Sequence, residues 1–155
     1  MMDLFRIRDR AEIAQMHEEQ ADMSTRATGT LEGKAWDEQP YNETPGELKL
    51  TRASVRNAFH GAIEGEGTLE YLMVYTDESR AGFVGLERVV GRLDGRAGSF
   101  VLQHGGTFVD GAATVTWSVL PDSGTGDLRG LRGSGGFVAQ HGDTQVSYTL
   151  DYELA

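Results

Sequence analysis

From Arg26 onward, apolar and polar residues alternate in runs with no helical stripe. Period-two alternation puts successive side chains on opposite faces, the mark of a half-buried strand. Eight such runs predict strands over Arg26–Trp36, Glu47–Phe59, Ala62–Tyr75, Gly82–Leu93, Gly98–Phe108, Ala112–Leu120, Gly135–Gln140 and Thr144–Leu154. Asp94-Gly95 and Asp110-Gly111 stand between alternating segments and predict tight hairpins with positive φ. Ser79-Arg80-Ala81 and His141-Gly142-Asp143 predict further turns. Trp36–Pro45, with Pro40 and Pro45, predicts a longer loop. Consecutive hairpins without helical crossovers form an antiparallel meander, which must stack as a sandwich or close as a barrel. Glycine favours the barrel: 18 of the 21 glycines lie between Gly61 and Gly142. Several fall inside strands, where they suit strong coiling and tight barrel corners. The predicted fold is all-β, an eight-stranded antiparallel up-and-down β-barrel, formed by residues 24–155 as a single domain.

The pattern breaks near residue 23. Residues 1–23 contain no glycine or proline and are rich in Ala, Glu, Gln, Met and Arg, which favour helix. Phe5, Ile13 and Met16 supply only a poor apolar stripe. This stretch therefore reads as a short N-terminal extension, helical or disordered, with Met23 a candidate start. Its charges interrupt the apolar region that a secretory signal needs, and no apolar run reaches the length of about 18 residues expected of a membrane span. The expected location is the cytoplasm. With 24 acidic and 14 basic side chains the net charge is −10. That balance argues against nucleic acid and against an anionic membrane surface as partners. The absence of cysteine excludes thiolate catalysis, iron–sulfur clusters and Cys-type zinc sites.

Several motifs together carry a family resemblance. They are Trp36-Asp37-Glu38-Gln39-Pro40-Tyr41, Lys49-Leu50-Thr51-Arg52-Ala53-Ser54-Val55 and Ile63-Glu64-Gly65-Glu66-Gly67-Thr68. Phe83-Val84-Gly85-Leu86-Glu87-Arg88, the run from Gly95 to His104 and the run from Ser123 to Gly133 belong with them. The chain from about Thr25 to Leu154 resembles the DUF3224 family of uncharacterised bacterial proteins. That family in turn resembles the allene oxide cyclase and dirigent superfamily of eight-stranded antiparallel barrels. The segment Gly124–Gly133 is similar to the Gly-Thr-Gly segment that precedes the last strands of dirigent proteins. The wider resemblance implies a fold. Its enzymes cyclise reactive small molecules and dirigent proteins steer the coupling of phenolic radicals, but chemistry does not transfer with a fold.

Two ionisable residues stand out as candidate catalytic groups. His104 shares a strand face with Phe100, Leu102 and Phe108, so it is either a pocket group or a satisfied core residue. Glu87 alternates onto the face of Phe83, Gly85, Val89 and Leu93. The opposite face, Val84, Leu86, Arg88 and Val90, is also largely apolar, so alternation leaves inside and outside open. An inward Glu87 would be an acid or base; the bland reading is a cross-strand ion pair. Glu64, Glu66 and Glu70 share one face with Thr68 and read as solvated. His17, His60 and His141 read as solvated too. Trp36, Trp117, Tyr71, Tyr75 and Tyr148 each fill a core or line a cavity. Gly124-Thr125-Gly126-Asp127 lacks the Lys-Ser/Thr and the βαβ context of a phosphate loop. It reads as a turn into one helical turn, with Thr125 as N-cap. No Gly-x-Ser-x-Gly elbow is present.

Three functions compete. The first is a barrel that binds a small apolar or phenolic ligand, with Trp36, Glu87, Phe100, His104, Trp117 and Tyr148 as the expected binding residues. The second is a structural or assembly module with a filled interior. Apolar residues on both faces of Gly82–Leu93 suggest such an outer contact and a homo-oligomer. The third is a cyclase or isomerase with Glu87 or His104 as its interior ionisable group. No cofactor and no metal are expected.

Overall fold

The computed structural model describes residues 24–154. The extension predicted over residues 1–23 lies outside the described residues. Eight strands follow one another: β1 (Thr25–Asn42), β2 (Lys49–Gly61), β3 (Ile63–Asp77), β4 (Arg80–Leu93), β5 (Arg96–Val109), β6 (Ala112–Val119), β7 (Leu131–Gln140) and β8 (Val146–Leu154). Each pairs antiparallel with the next, and β1 also pairs with β8, so the sheet closes into a barrel. Closure leaves few free edges to aggregate.

The alternation settles into inward and outward faces. On β2, Thr51, Ala53, Val55, Asn57 and Phe59 point in; on β3, Ile63, Leu69, Tyr71 and Met73 do so. Glu64, Glu66 and Glu70 are exposed, as their spacing predicts. On β4 the inward set is Ala81, Phe83, Glu87, Val89 and Leu93, which leaves Val84, Leu86 and Val90 half or more exposed on the outside beside Leu72 of β3.

Both Asp-Gly turns form as predicted. Asp94 and Gly95 have φ of 47° and 84°, and Asp110 and Gly111 have φ of 48° and 86°. The turn expected at Ser79-Arg80-Ala81 tightens to Glu78-Ser79. There the Asp77 carboxylate accepts from both the Ser79 N–H and its hydroxyl.

Three expectations need correction. The loop expected over Trp36–Pro45 is mostly strand, because β1 runs on to Asn42 paired with β2. Its pairing with β8 ends at Leu31, so Pro40 lies on a one-sided edge where a missing donor is tolerated. β7 begins at Leu131, four residues before the expected Gly135, with Gly133 and Gly135 paired to β8. A 3₁₀ turn, Gly126–Leu128, does follow Thr125, but Thr125 makes no cap with its side chain. Its hydroxyl instead accepts from the Ser99 N–H at 3.0 Å and bonds the Ser99 hydroxyl at 2.7 Å. The turn is thereby stitched to β5, and it drives Leu128 fully into the barrel end.

The two ends of the barrel differ. At the end bearing the β2–β3 and β4–β5 turns, Leu128 joins Phe59, Ile63, Leu93, Phe100, Leu102, Tyr148 and Leu150 in a sealed core. Toward the other end a second, smaller cluster of Ala53, Val55, Leu69, Tyr71, Met73, Ala81, Phe83 and Val115 lines the walls. That end is open.

Candidate functional site

The open end leads into a cavity of about 840 Å³. Its walls are apolar: Val55, Leu69, Met73, Phe83, Val115 and Phe137. These side chains come from β2, β3, β4, β6 and β7, at positions where alternation turns them inward. Volume and polarity both match small-molecule sites, which are mostly apolar with a few placed polar groups and run from about 300 to 1,000 Å³.

The polar groups lie at two depths. At the rim, Glu38 accepts from the Thr51 hydroxyl at 2.8 Å and from the Tyr75 hydroxyl. Burial and the Glu38 carboxylate push the Tyr75 phenol up to about 12. Lys49 stands over the Tyr75 ring, 5.4 Å from its centre. Trp36, Lys34, His141 and Asp143 complete the rim.

At the floor, Asn57 and Tyr71 face the cavity and connect to two fully buried residues. The Asn57 amide donates to Glu87 Oε2 at 2.8 Å. Glu87 Oε1 lies 2.9 Å from His104 Nε2. His104 Nδ1 lies 2.9 Å from the Tyr71 hydroxyl. Burial raises the Tyr71 phenol above its ordinary value, and the negative charge of Glu87 adds to this, so Tyr71 keeps its proton. A neutral His104 that donates its Nε2–H to the Glu87 carboxylate leaves Nδ1 to accept from the Tyr71 hydroxyl. The His104 ring is packed edge-on by Tyr71 at 5.4 Å and Trp117 at 5.3 Å. Among the described residues no buried side-chain nitrogen or oxygen lacks a partner.

Two glycines make room for the floor. Gly67 faces Glu87 from β3, and a Cβ there would run into the Glu87 carboxylate and the Phe59 ring. Gly85 faces Tyr71 from β4, and a Cβ there would strike the Tyr71 ring and the Glu70 carbonyl. Both glycines make room for the polar chain.

Of the residues singled out from sequence, Glu87 and His104 meet in one hydrogen bond, behind the floor and out of contact with the cavity itself. Trp36 stands at the rim, 54% exposed, its ring 6.2 Å from Tyr71. Phe100, Trp117 and Tyr148 belong to the sealed core and are not on the cavity wall. Trp117 donates its indole N–H to the Thr149 carbonyl. The Tyr148 hydroxyl accepts from the Ile63 N–H and donates to the His60 carbonyl, which pins the β2–β3 turn. Sequence reasoning passed over Asn57 as a site residue and named Tyr71 only as an aromatic that fills a core or lines a cavity. The signal for Asn57 was present: an amide on the otherwise apolar face of Ala53, Val55 and Phe59. Among the described residues no group of three or more His, Asp or Glu is placed to hold a metal ion, and no helix is long and apolar enough to cross a membrane.

A family model described as "Protein of unknown function (DUF3224)" matches residues 27–152. The chain belongs to the DUF3224 family. A solved structure of a DUF3224 protein of unknown function, from Shewanella oneidensis MR-1, is 32% identical and superposes with a TM-score of 0.68. The match covers 85% of this chain and 98% of that one. The DUF3224 match thus takes in every strand that builds the cavity. No curated protein matches the chain.

Proposed function

We propose that this DUF3224 barrel binds a small apolar or aromatic molecule through its open end. The observation that carries the reading is the cavity of about 840 Å³ with apolar walls and a polar floor. A barrel serving only as a structural module fills its interior with side chains, as small eight-stranded barrels can; this one fills only its closed half. The ligand's apolar frame would lie against Val55, Leu69, Phe83, Val115 and Phe137, and one polar atom would meet Asn57 or Tyr71. The eight-stranded closed architecture also supports the wider kinship with allene oxide cyclases and dirigent proteins.

A thermal-shift screen of the full chain at neutral pH tests this, using apolar acids, phenolics and terpenoid-like compounds. A ligand at about 100 times its dissociation constant adds about 2.7 kcal/mol, which raises the melting temperature of such a domain by about 5–10 °C. Ala113→Trp puts a large ring into the cavity from an inward position on β6 and should abolish the shift. A stable protein that no compound shifts, or a shift that survives Ala113→Trp, sinks the reading.

A further inference from the structure

The floor carries more polar structure than anchoring one ligand atom requires. Hydroxyl, imidazole and carboxylate stand in series: Tyr71 to His104 at 2.9 Å, and His104 to Glu87 at 2.9 Å. This is the order of an activated hydroxyl, its base and the group that orients the base. The series is directional. Its inner members are fully buried, while its outer member, Tyr71, lines the cavity. The neighbouring Asn57 lines the same floor, and its amide nitrogen, which carries two hydrogens, donates to Glu87.

We propose that Tyr71 is a catalytic general base and acid at the cavity floor, acting on ligands that carry an enolisable C–H beside a carbonyl group. The inference rests on the cavity taking a ligand. The α C–H bond breaks, and its proton goes to the Tyr71 oxygen as the Tyr71 O–H proton passes to His104 Nδ1. The bonding pair stays on the ligand as an enolate. The imidazolium so formed lies against the Glu87 carboxylate, which offsets its charge where both side chains are buried. The second Asn57 amide hydrogen donates to the enolate oxygen. Return of the proton to the same carbon gives exchange, and return to the next carbon of an unsaturated ligand gives an isomer. Either way atoms and charge balance with no co-reactant. His104 and Glu87 are positioning residues here, because neither touches the ligand.

The experiment uses 2-tetralone, an apolar bicyclic ketone with enolisable protons, and the full-length protein in deuterated buffer. Proton NMR reads two things at once: saturation transfer from protein to ligand reports binding, and loss of the α-proton signal reports exchange. Tyr71→Phe removes one oxygen and keeps the ring. His104→Gln removes the proton acceptor and keeps Tyr71. The expected result is binding by all three proteins, with exchange about 100-fold faster on the wild type than on either variant. Binding with equal exchange rates overturns the proton relay and leaves the ligand-binding reading standing. Absence of 2-tetralone binding to the wild type overturns the proposed ligand class and with it the proton relay, and a silent thermal-shift screen beside it overturns the binding reading as well.

Discussion

Four polar side chains on inward strand faces make up the floor and the layer behind it, and each was legible to a different degree. Glu87 and His104 interrupt apolar alternation on β4 and β5, which is why they stand out in the sequence. What no local pattern could reveal is that they bond each other, since that depends on the register Gly85 to His104 and Glu87 to Leu102. Tyr71 looks like any core aromatic until His104 is found against its hydroxyl. Four of the five tyrosines, Tyr71, Tyr75, Tyr148 and Tyr152, have phenols held above their ordinary value, with burial the first cause in each. The consequence for stability has a definite sign. Unfolded phenols ionise near pH 10, whereas the Tyr75 phenol holds its proton to about 12. In that window the native state binds more protons than the unfolded state, so stability falls as pH rises through it, having been fully present below. Urea midpoints should therefore drop steadily above pH about 10, and native tyrosinate absorbance should lag that of the urea-unfolded chain. Coincident native and unfolded titrations would contradict the burial of these hydroxyls.

At the level of elements, the Asp-Gly hairpins were legible because two successive positive φ angles demand that chemistry. The continuation of β1 past Trp36 was not, because Pro40 signals a break unless one knows that β8 has already ended beside it. The strand glycines had a visible distribution but no visible purpose. Their purposes differ. Gly67 and Gly85 abut the Glu87 carboxylate and the Tyr71 ring, whereas Gly105 has nothing within 4 Å of where a Cβ would sit. Gly67→Ala and Gly85→Ala should each destabilise by about 1–3 kcal/mol through overpacking. Gly105→Ala should be neutral or stabilising by about 0.5 kcal/mol, through reduced freedom of the unfolded chain. Chemical denaturation of the three variants checks the ranking, and equal effects would show that the close approaches at Gly67 and Gly85 do not constrain the fold.

At the scale of the whole molecule, the asymmetry between sealed and open ends governs behaviour. The sealed end concentrates large buried side chains around Ile63, Leu93, Leu102 and Leu150. The open rim includes the one-sided stretch of β1 beyond Leu31. Native-state hydrogen exchange should show the slowest amides around the sealed core and the fastest in 36–42 and 141–145, since local opening follows contact density. A bound ligand should slow the open half selectively; uniform protection would mean that the barrel opens as one unit. The sequence by itself determined the strands, most of their turns and the antiparallel meander, because period-two alternation and turn chemistry act over neighbouring residues. It also carried the family resemblance. Tertiary structure alone decided which apolar face of β4 turns inward, that the interior is half filled and half open, and that Tyr71, His104, Glu87 and Asn57 meet. Those outcomes depend on barrel closure and strand register, where a shift of one residue exchanges inside for outside, and no local run of sequence contains that information.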